Sequence, residues 1–183
     1  MRVITGTARG RRLKELEGME TRPTTDRVKE GLFSIIQFDI EGRRVLDLFA
    51  GTGQLGIEAL SRGARECIFV DQRRDAVALV KENLALCQLV DKAKVHLGDS
   101  LSYLKSGEKF DLIFLDPPYA SGLLEKSLTE ITRFDFCREH GIIVAESADD
   151  TVLPAVAAPY SLYREYRYGK IKLTVYHRGG NED

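Results

Sequence analysis

Arg44-Val45-Leu46-Asp47-Leu48-Phe49-Ala50-Gly51-Thr52-Gly53-Gln54-Leu55-Gly56 is the stretch on which the fold turns. A short apolar run closes on a carboxylate, passes through a glycine turn and enters the apolar periodicity of a helix. That strand–turn–helix unit then repeats. Strands are predicted at 44–49, 66–71, 93–97, 110–115 and 141–146, with helices at 54–62, 75–89, 100–105 and 123–133 between them and a short helix at 150–157. Strands alternating with helices imply a parallel sheet covered on both faces, and the near-continuous apolar strands fit burial on both sides. The chain closes with strands at 161–168 and 170–177 around Gly169. No crossover helix fits between them, so that pair must be antiparallel.

Working outward, the 183 residues suffice for one domain with a real core. Residues 1–40 read as a basic arm and helix built onto an α/β domain at 41–183. Arg2-Val3-Ile4-Thr5-Gly6 and Arg12-Leu13-Lys14 predict a small hairpin around Gly10. Thr25 or Asp26 can cap a helix reaching about residue 37, with Val28, Leu32, Ile35 and Ile36 at helical spacing. The net charge of −1 argues against a polyanion partner, but the distribution argues for one. Arg2, Arg9, Arg11, Arg12 and Lys14 precede the first acid, and Arg22, Arg27 and Lys29 follow, mixed with Glu20, Asp26 and Glu30. A basic arm on a near-neutral chain suits phosphate binding. Cys67, Cys87 and Cys137 form neither a metal-ligand pattern nor a disulfide framework. With no long apolar span and no signal-peptide core, the expectation is a cytoplasmic chain with no metal and no membrane contact.

In parallel sheets ligands bind beyond the carboxyl ends of the strands. Asp47, Asp71, Asp99 and Asp116 each fall at or near such an end. Any one of them can be a helix cap, but four together point to a cleft. Gly51, Gly53 and Gly56 match G-x-G-x-x-G, and Asp71 follows Gly51 by 20 residues, as in the dinucleotide fingerprint. Three features favour S-adenosylmethionine instead. Asp47 would oppose a pyrophosphate, whereas it suits ammonium and sulfonium charges. Asp99 can accept from an adenine amino group. His96, His140 and His177 stand where none serves hydride chemistry.

Asp116-Pro117-Pro118-Tyr119 follows the fourth sheet strand. The paired prolines fix φ twice and remove two N–H donors. What remains is a carboxylate, fixed carbonyls and a flat ring, which together can hold a planar base by its amino group. The simpler reading is a proline turn with a core tyrosine.

The chain resembles class I methyltransferases, and more narrowly the RsmD-type family, which methylates N2 of a guanine in bacterial 16S ribosomal RNA. The resemblance rests on the N-terminal Arg2–Gly6 run, Gly10-Arg11, Thr21-Arg22-Pro23-Thr24-Thr25-Asp26-Arg27-Val28-Lys29-Glu30, the glycine turn, Glu58-Ala59-Leu60-Ser61-Arg62-Gly63-Ala64 and Asp116-Pro117-Pro118-Tyr119. It implies a Rossmann-like, doubly wound seven-stranded sheet with its last strand antiparallel. It also implies that Gly51 and Gly53 admit the methionine part of the cofactor, that Asp47 faces its ammonium, that Asp71 holds the ribose and that Asp99 holds the adenine. Asp116 and the Pro117 carbonyl would then accept the amine hydrogens, and Tyr119 would stack on the base. Arg9, Arg11, Arg12 and Arg22 would hold phosphates of 16S rRNA, either naked or within an assembling small subunit, with a monomer as the default. Arg22, Thr24 and Arg27 would close over the cofactor, contact RNA or only cap a helix. Thr52, Gln54 and Gly31 stand where Ser, Ala and Ala are expected, and Gly31 should cost its helix roughly 0.5–1 kcal/mol. Two rivals stay open: methylation of adenine N6 in DNA or RNA, and a non-catalytic RNA module.

Overall fold

A computed structural model describes residues 1–17 and 24–180. The strands are β1 (Arg44–Asp47), β2 (Glu66–Asp71), β3 (Ala93–Leu97), β4 (Phe110–Leu115), β5 (Cys137–Ala148), β6 (Tyr160–Tyr168) and β7 (Ile171–Arg178). They form one sheet in the order β3-β2-β1-β4-β5-β7-β6. The first five run parallel, and β7 inserts antiparallel between β5 and β6. The expected seven-stranded sheet with an antiparallel last strand is therefore present. The helices are α1 (Asp26–Ile35), α2 (Gln54–Ser61), α3 (Arg74–Leu86), α4 (Ser100–Tyr103) and α5 (Leu123–Arg133).

Strand alternation sorts the core into two layers. Val45, Phe69, Leu112 and Phe114 face one side, packed with Phe33 of α1, Ile57 of α2 and Val80 of α3. Leu46, Ile68, Val70 and Ile113 face the other, packed with Leu128 and Ile131 of α5. Removing each such side chain from water stabilises the fold by about 1.5–3 kcal/mol. Coverage is incomplete at the edges, where most side chains of β3 and β6 are exposed or half-buried.

Most boundaries fall within three residues of expectation, and two differences are larger. The helix predicted at 150–157 is an irregular connection. Pro154 in the middle of this segment disfavours helical backbone at Leu153 and lacks an amide donor, which interrupts a helix there. β5 is longer than the predicted 141–146, because pairing with β7 continues through Ala148 and its start pairs with Phe110.

The basic arm is clamped onto the domain. Arg2 and Arg12 form the antiparallel bridge of the expected hairpin. Both oxygens of Glu58 on α2 accept from arm amides, Ile4 at 2.8 Å and Thr5 at 3.1 Å. The same carboxylate meets Lys29 Nζ at 3.3 Å and Arg62 Nε at 3.2 Å. Lys29 also donates to the Arg2 carbonyl at 2.7 Å. Ser61 accepts from the Ala8 amide and donates to the Thr5 carbonyl. Asn83 of α3 takes the Lys14 amide at 2.8 Å and donates to the Thr52 carbonyl in the glycine turn at 2.9 Å.

Thr25 caps α1, its side chain accepting from the Val28 amide at 3.3 Å. Gly31 in the same helix has a packing reason: a Cβ there would lie 2.4 Å from the Tyr168 hydroxyl, so the ring of β6 occupies the space alanine would fill.

Glu58 and Lys29 are 0% and 1% exposed. Burial pulls the Lys29 ammonium below its ordinary value, and the Glu58 carboxylate opposes that pull. Glu58→Ala would leave a buried cation uncompensated and two amides without acceptors, so it is expected to cost about 3–5 kcal/mol in urea unfolding. A loss under about 1 kcal/mol would show that the clamp is dispensable.

Candidate active site

The carboxyl ends of the parallel strands open into a cleft of about 630 Å³. Asp47, Gly51, Asp71, Asp99, Asp116 and Tyr119 all line it, so the structure brings together residues spread over 73 positions of sequence. Register explains the convergence. Asp47 pairs with Phe69 on one side and Phe114 on the other. Asp71 and Asp116 each lie two residues beyond those partners, flanking Asp47 at the sheet's upper edge.

The glycine turn is built from backbone needs. The Gly53 amide donates to the Ala50 carbonyl at 2.7 Å, and Gly53 caps α2 with φ of 82°. A Cβ on Gly53 would press on Val80 and Ile57 at 3.2–3.3 Å. Gly53 therefore shapes the turn from below, and it is Gly51, at φ 57° with open space beside it, that faces the cleft. Asp71 fixes the turn from β2. Its Oδ2 accepts from the Gly51 amide at 2.9 Å and its Oδ1 from the Arg73 amide at 2.9 Å. A carboxylate has about four acceptor sites, so further hydroxyls can still be bound.

Asp47 is 2% exposed and accepts from the Gly56 amide at 3.1 Å. Burial pushes its carboxyl up to about 7, with the nearby Asp71 carboxylate adding to the rise and the Gly56 hydrogen bond opposing it. No cation among the described residues pairs with it. A buried carboxylate of this kind suits a cationic ligand and repels a phosphate, and so fits the ammonium of S-adenosylmethionine rather than a dinucleotide pyrophosphate. Asp99 holds both expected positions: it caps α4, accepting from the Ser102 amide at 2.8 Å, and its exposed side chain lines the cleft.

Glu146 on β5 was not singled out from the sequence. It is buried on the cleft wall, accepting from Thr24 Oγ1 at 3.0 Å and from the Tyr119 hydroxyl at 3.4 Å. The rule that marked the four aspartates, an acid near the carboxyl end of an apolar strand, also marks Glu146. Thr24 thus reaches the site, while Thr25 caps the helix. Arg9, Arg11 and Arg12 are exposed on the arm, Arg27 is exposed on α1, and Arg22 lies outside the described residues.

Residues 1–177 match the family described as conserved hypothetical protein 95. The chain belongs to this family. It is 44% identical to the Bacillus subtilis protein YlbH over 98% of this chain and 100% of that protein. It is 35% identical to the Escherichia coli ribosomal RNA small subunit methyltransferase D over 97% of this chain and 90% of that protein. The solved structure of the Escherichia coli methyltransferase yhhF superposes with a TM-score of 0.88 at 35% identity, covering 99% of each chain. The sheet is that of class I methyltransferases, and the protein is a methyltransferase.

Asp47 yields a signed pH dependence. An unfolded aspartate releases its proton near 3.8, whereas the folded one holds it up to about 7. Across that window the folded state binds more protons, so ligand-free stability contributed by this group falls as pH rises. Asp47→Asn should therefore raise the melting midpoint at pH 8 by about 2–4 °C per kcal/mol relieved, with no gain at pH 4. Binding of S-adenosylmethionine to the wild type should tighten as pH rises from 5.5 to about 7, and the variant should lose that slope. Calorimetric titration at a series of pH values checks both arms, and an unchanged slope in the variant would remove Asp47 from cofactor binding.

Proposed function

We propose that the protein transfers a methyl group from S-adenosylmethionine to the exocyclic N2 amine of a guanine in 16S ribosomal RNA. It acts as a cytoplasmic monomer on an assembling small subunit. The observation that carries the reading is that Asp116, Pro117 and Tyr119 stand in the same cleft as Asp47 and the glycine turn. An amine-holding motif and a cation-holding floor thus share one space. The naming of the Escherichia coli relative for small-subunit ribosomal RNA supports the choice of RNA.

Bound S-adenosylmethionine supplies a methyl group already activated by its sulfonium. The chain's task is alignment and electrostatics. Asp47 neutralises the ligand ammonium, Asp71 accepts from ribose hydroxyls, and Asp99 accepts from the adenine amino group. A guanine amine is a poor nucleophile because its lone pair is delocalised into the ring. Asp116 and the Pro117 carbonyl accept its two hydrogens and so aim the nitrogen lone pair into the cleft, and Asp116 takes the proton that the nitrogen loses. The Tyr119 ring stacks on the base, worth about 1–3 kcal/mol. The base must leave its stack to enter, which costs least in looped RNA.

Arg9, Arg11 and Arg12 hold phosphates. Ser61, at the far end of α2, anchors the hairpin that carries Arg9 and Arg11. An eight-residue helix is about 12 Å long, so the RNA footprint extends roughly that far from the cleft mouth.

Asp116→Ala is expected to lower methyl transfer by about 10²–10³-fold or more while leaving S-adenosylmethionine affinity nearly unchanged. Labelled-methyl incorporation into unmethylated small-subunit RNA reads the first quantity and calorimetry the second. Wild-type turnover in this variant would sink the assignment.

A further inference from the structure

We infer that Glu146 is a specificity-determining residue that selects guanine by accepting a hydrogen bond from its N1–H. The inference rests on the reading of the protein as a guanine-N2 methyltransferase and adds the group that distinguishes guanine from other bases carrying an exocyclic amine.

Glu146 lies near the carboxyl end of β5, beside β4, whose end leads into Asp116. It is 5% exposed, yet it forms part of the cleft wall together with Asp116, Pro117 and Tyr119. Among the described residues, two hydroxyls donate to it. Thr24 donates to Oε2 at 3.0 Å, and the Tyr119 hydroxyl donates to Oε1 at 3.4 Å. The second contact is long for a hydroxyl donor, so it can lengthen or shift when a better donor arrives. It also places the carboxylate beside the ring on which the base would stack. A base lying on Tyr119 with its amine at Asp116 therefore presents its neighbouring edge atoms toward Glu146.

The chemistry of that edge decides which base is accepted. Guanine carries donors at both N2 and N1, so two adjacent acceptor groups, Asp116 with the Pro117 carbonyl and Glu146, match it in full. Adenine carries a donor at N6 but an unprotonated acceptor at N1. A carboxylate facing that nitrogen would meet a lone pair and would lose its hydrogen bond in a buried site, which rejects the base. The tetrapeptide fits either amine, whereas the additional acceptor on β5 fits guanine alone of the two.

The test compares two small-subunit RNAs that differ only at the methylated position, one with guanine and one with 2-aminopurine. The analogue keeps the 2-amino group but has an unprotonated N1. Wild-type kcat/KM should favour guanine by at least about tenfold. Glu146→Gln can accept from one base and donate to the other, so it should shrink that ratio toward unity. Glu146→Ala should lose activity on guanine and much less on 2-aminopurine. Because each ratio is taken within one variant, a general folding defect or a merely structural role lowers both rates and leaves the ratio intact. Equal ratios in wild type and both variants would overturn the inference, as would a wild type indifferent to the two bases. A wild type that methylates neither RNA would overturn the guanine-N2 reading itself, and this inference with it.

Discussion

The parallel pairing of β1 between β2 and β4 is the constraint on which the site depends. It sets Asp47 level with Phe69 and Phe114. Everything chemically useful then follows within two residues: Asp71 beyond one neighbour, Asp116 beyond the other, and the glycine turn directly above. A slip of one residue in either pairing would turn a carboxylate toward the opposite face and bring an apolar side chain into the cleft. The large apolar side chains beneath, Phe69 and Phe114 on one face and Ile68, Val70 and Ile113 on the other, make such a slip costly. The core thus enforces the geometry of polar groups that are themselves unfavourable for folding. Asp47 is the clearest instance, a carboxylate held almost out of water and pushed by that burial toward its neutral form.

A second constraint attaches the N-terminal arm. Glu58, Ser61 and Asn83 are polar side chains buried on helices, and each is satisfied by arm backbone. Asn83 joins the arm to the glycine turn through Thr52, and Thr24 joins the segment before α1 to Glu146. The surface expected to meet RNA is therefore mechanically continuous with both halves of the cleft.

Much of this was legible in the sequence because it is local. Strand–helix alternation, the turn at Gly51 and Gly53, and carboxylates at strand ends are patterns within a few residues, and the strands 66–71, 93–97 and 110–115 appear with the boundaries expected. What escaped was non-local. Nothing in the periodicity of α2 shows that Glu58 serves the amides of Ile4 and Thr5. Gly31 reads as a weakened helix until the ring of Tyr168, 137 residues away, is seen in its place. Glu146 closes the run 141–146 as the four aspartates close theirs, but its setting becomes visible only beside Thr24 and Tyr119. The helix expected at 150–157 is absent because Pro154 stands in the middle of it.

If the carboxylate-lined cleft methylates N2 of one guanine in 16S ribosomal RNA, that methyl group depends on this protein in the cell. Mass-spectrometric mapping of methylated nucleotides in ribosomal RNA, from cells with and without this protein, tests it most directly. One N2-methylguanine in the small-subunit RNA should disappear with the protein and return with the wild-type chain but not with Asp116→Ala. An unchanged map, or a lost methyl that belongs to adenine N6 or to another RNA, would contradict it.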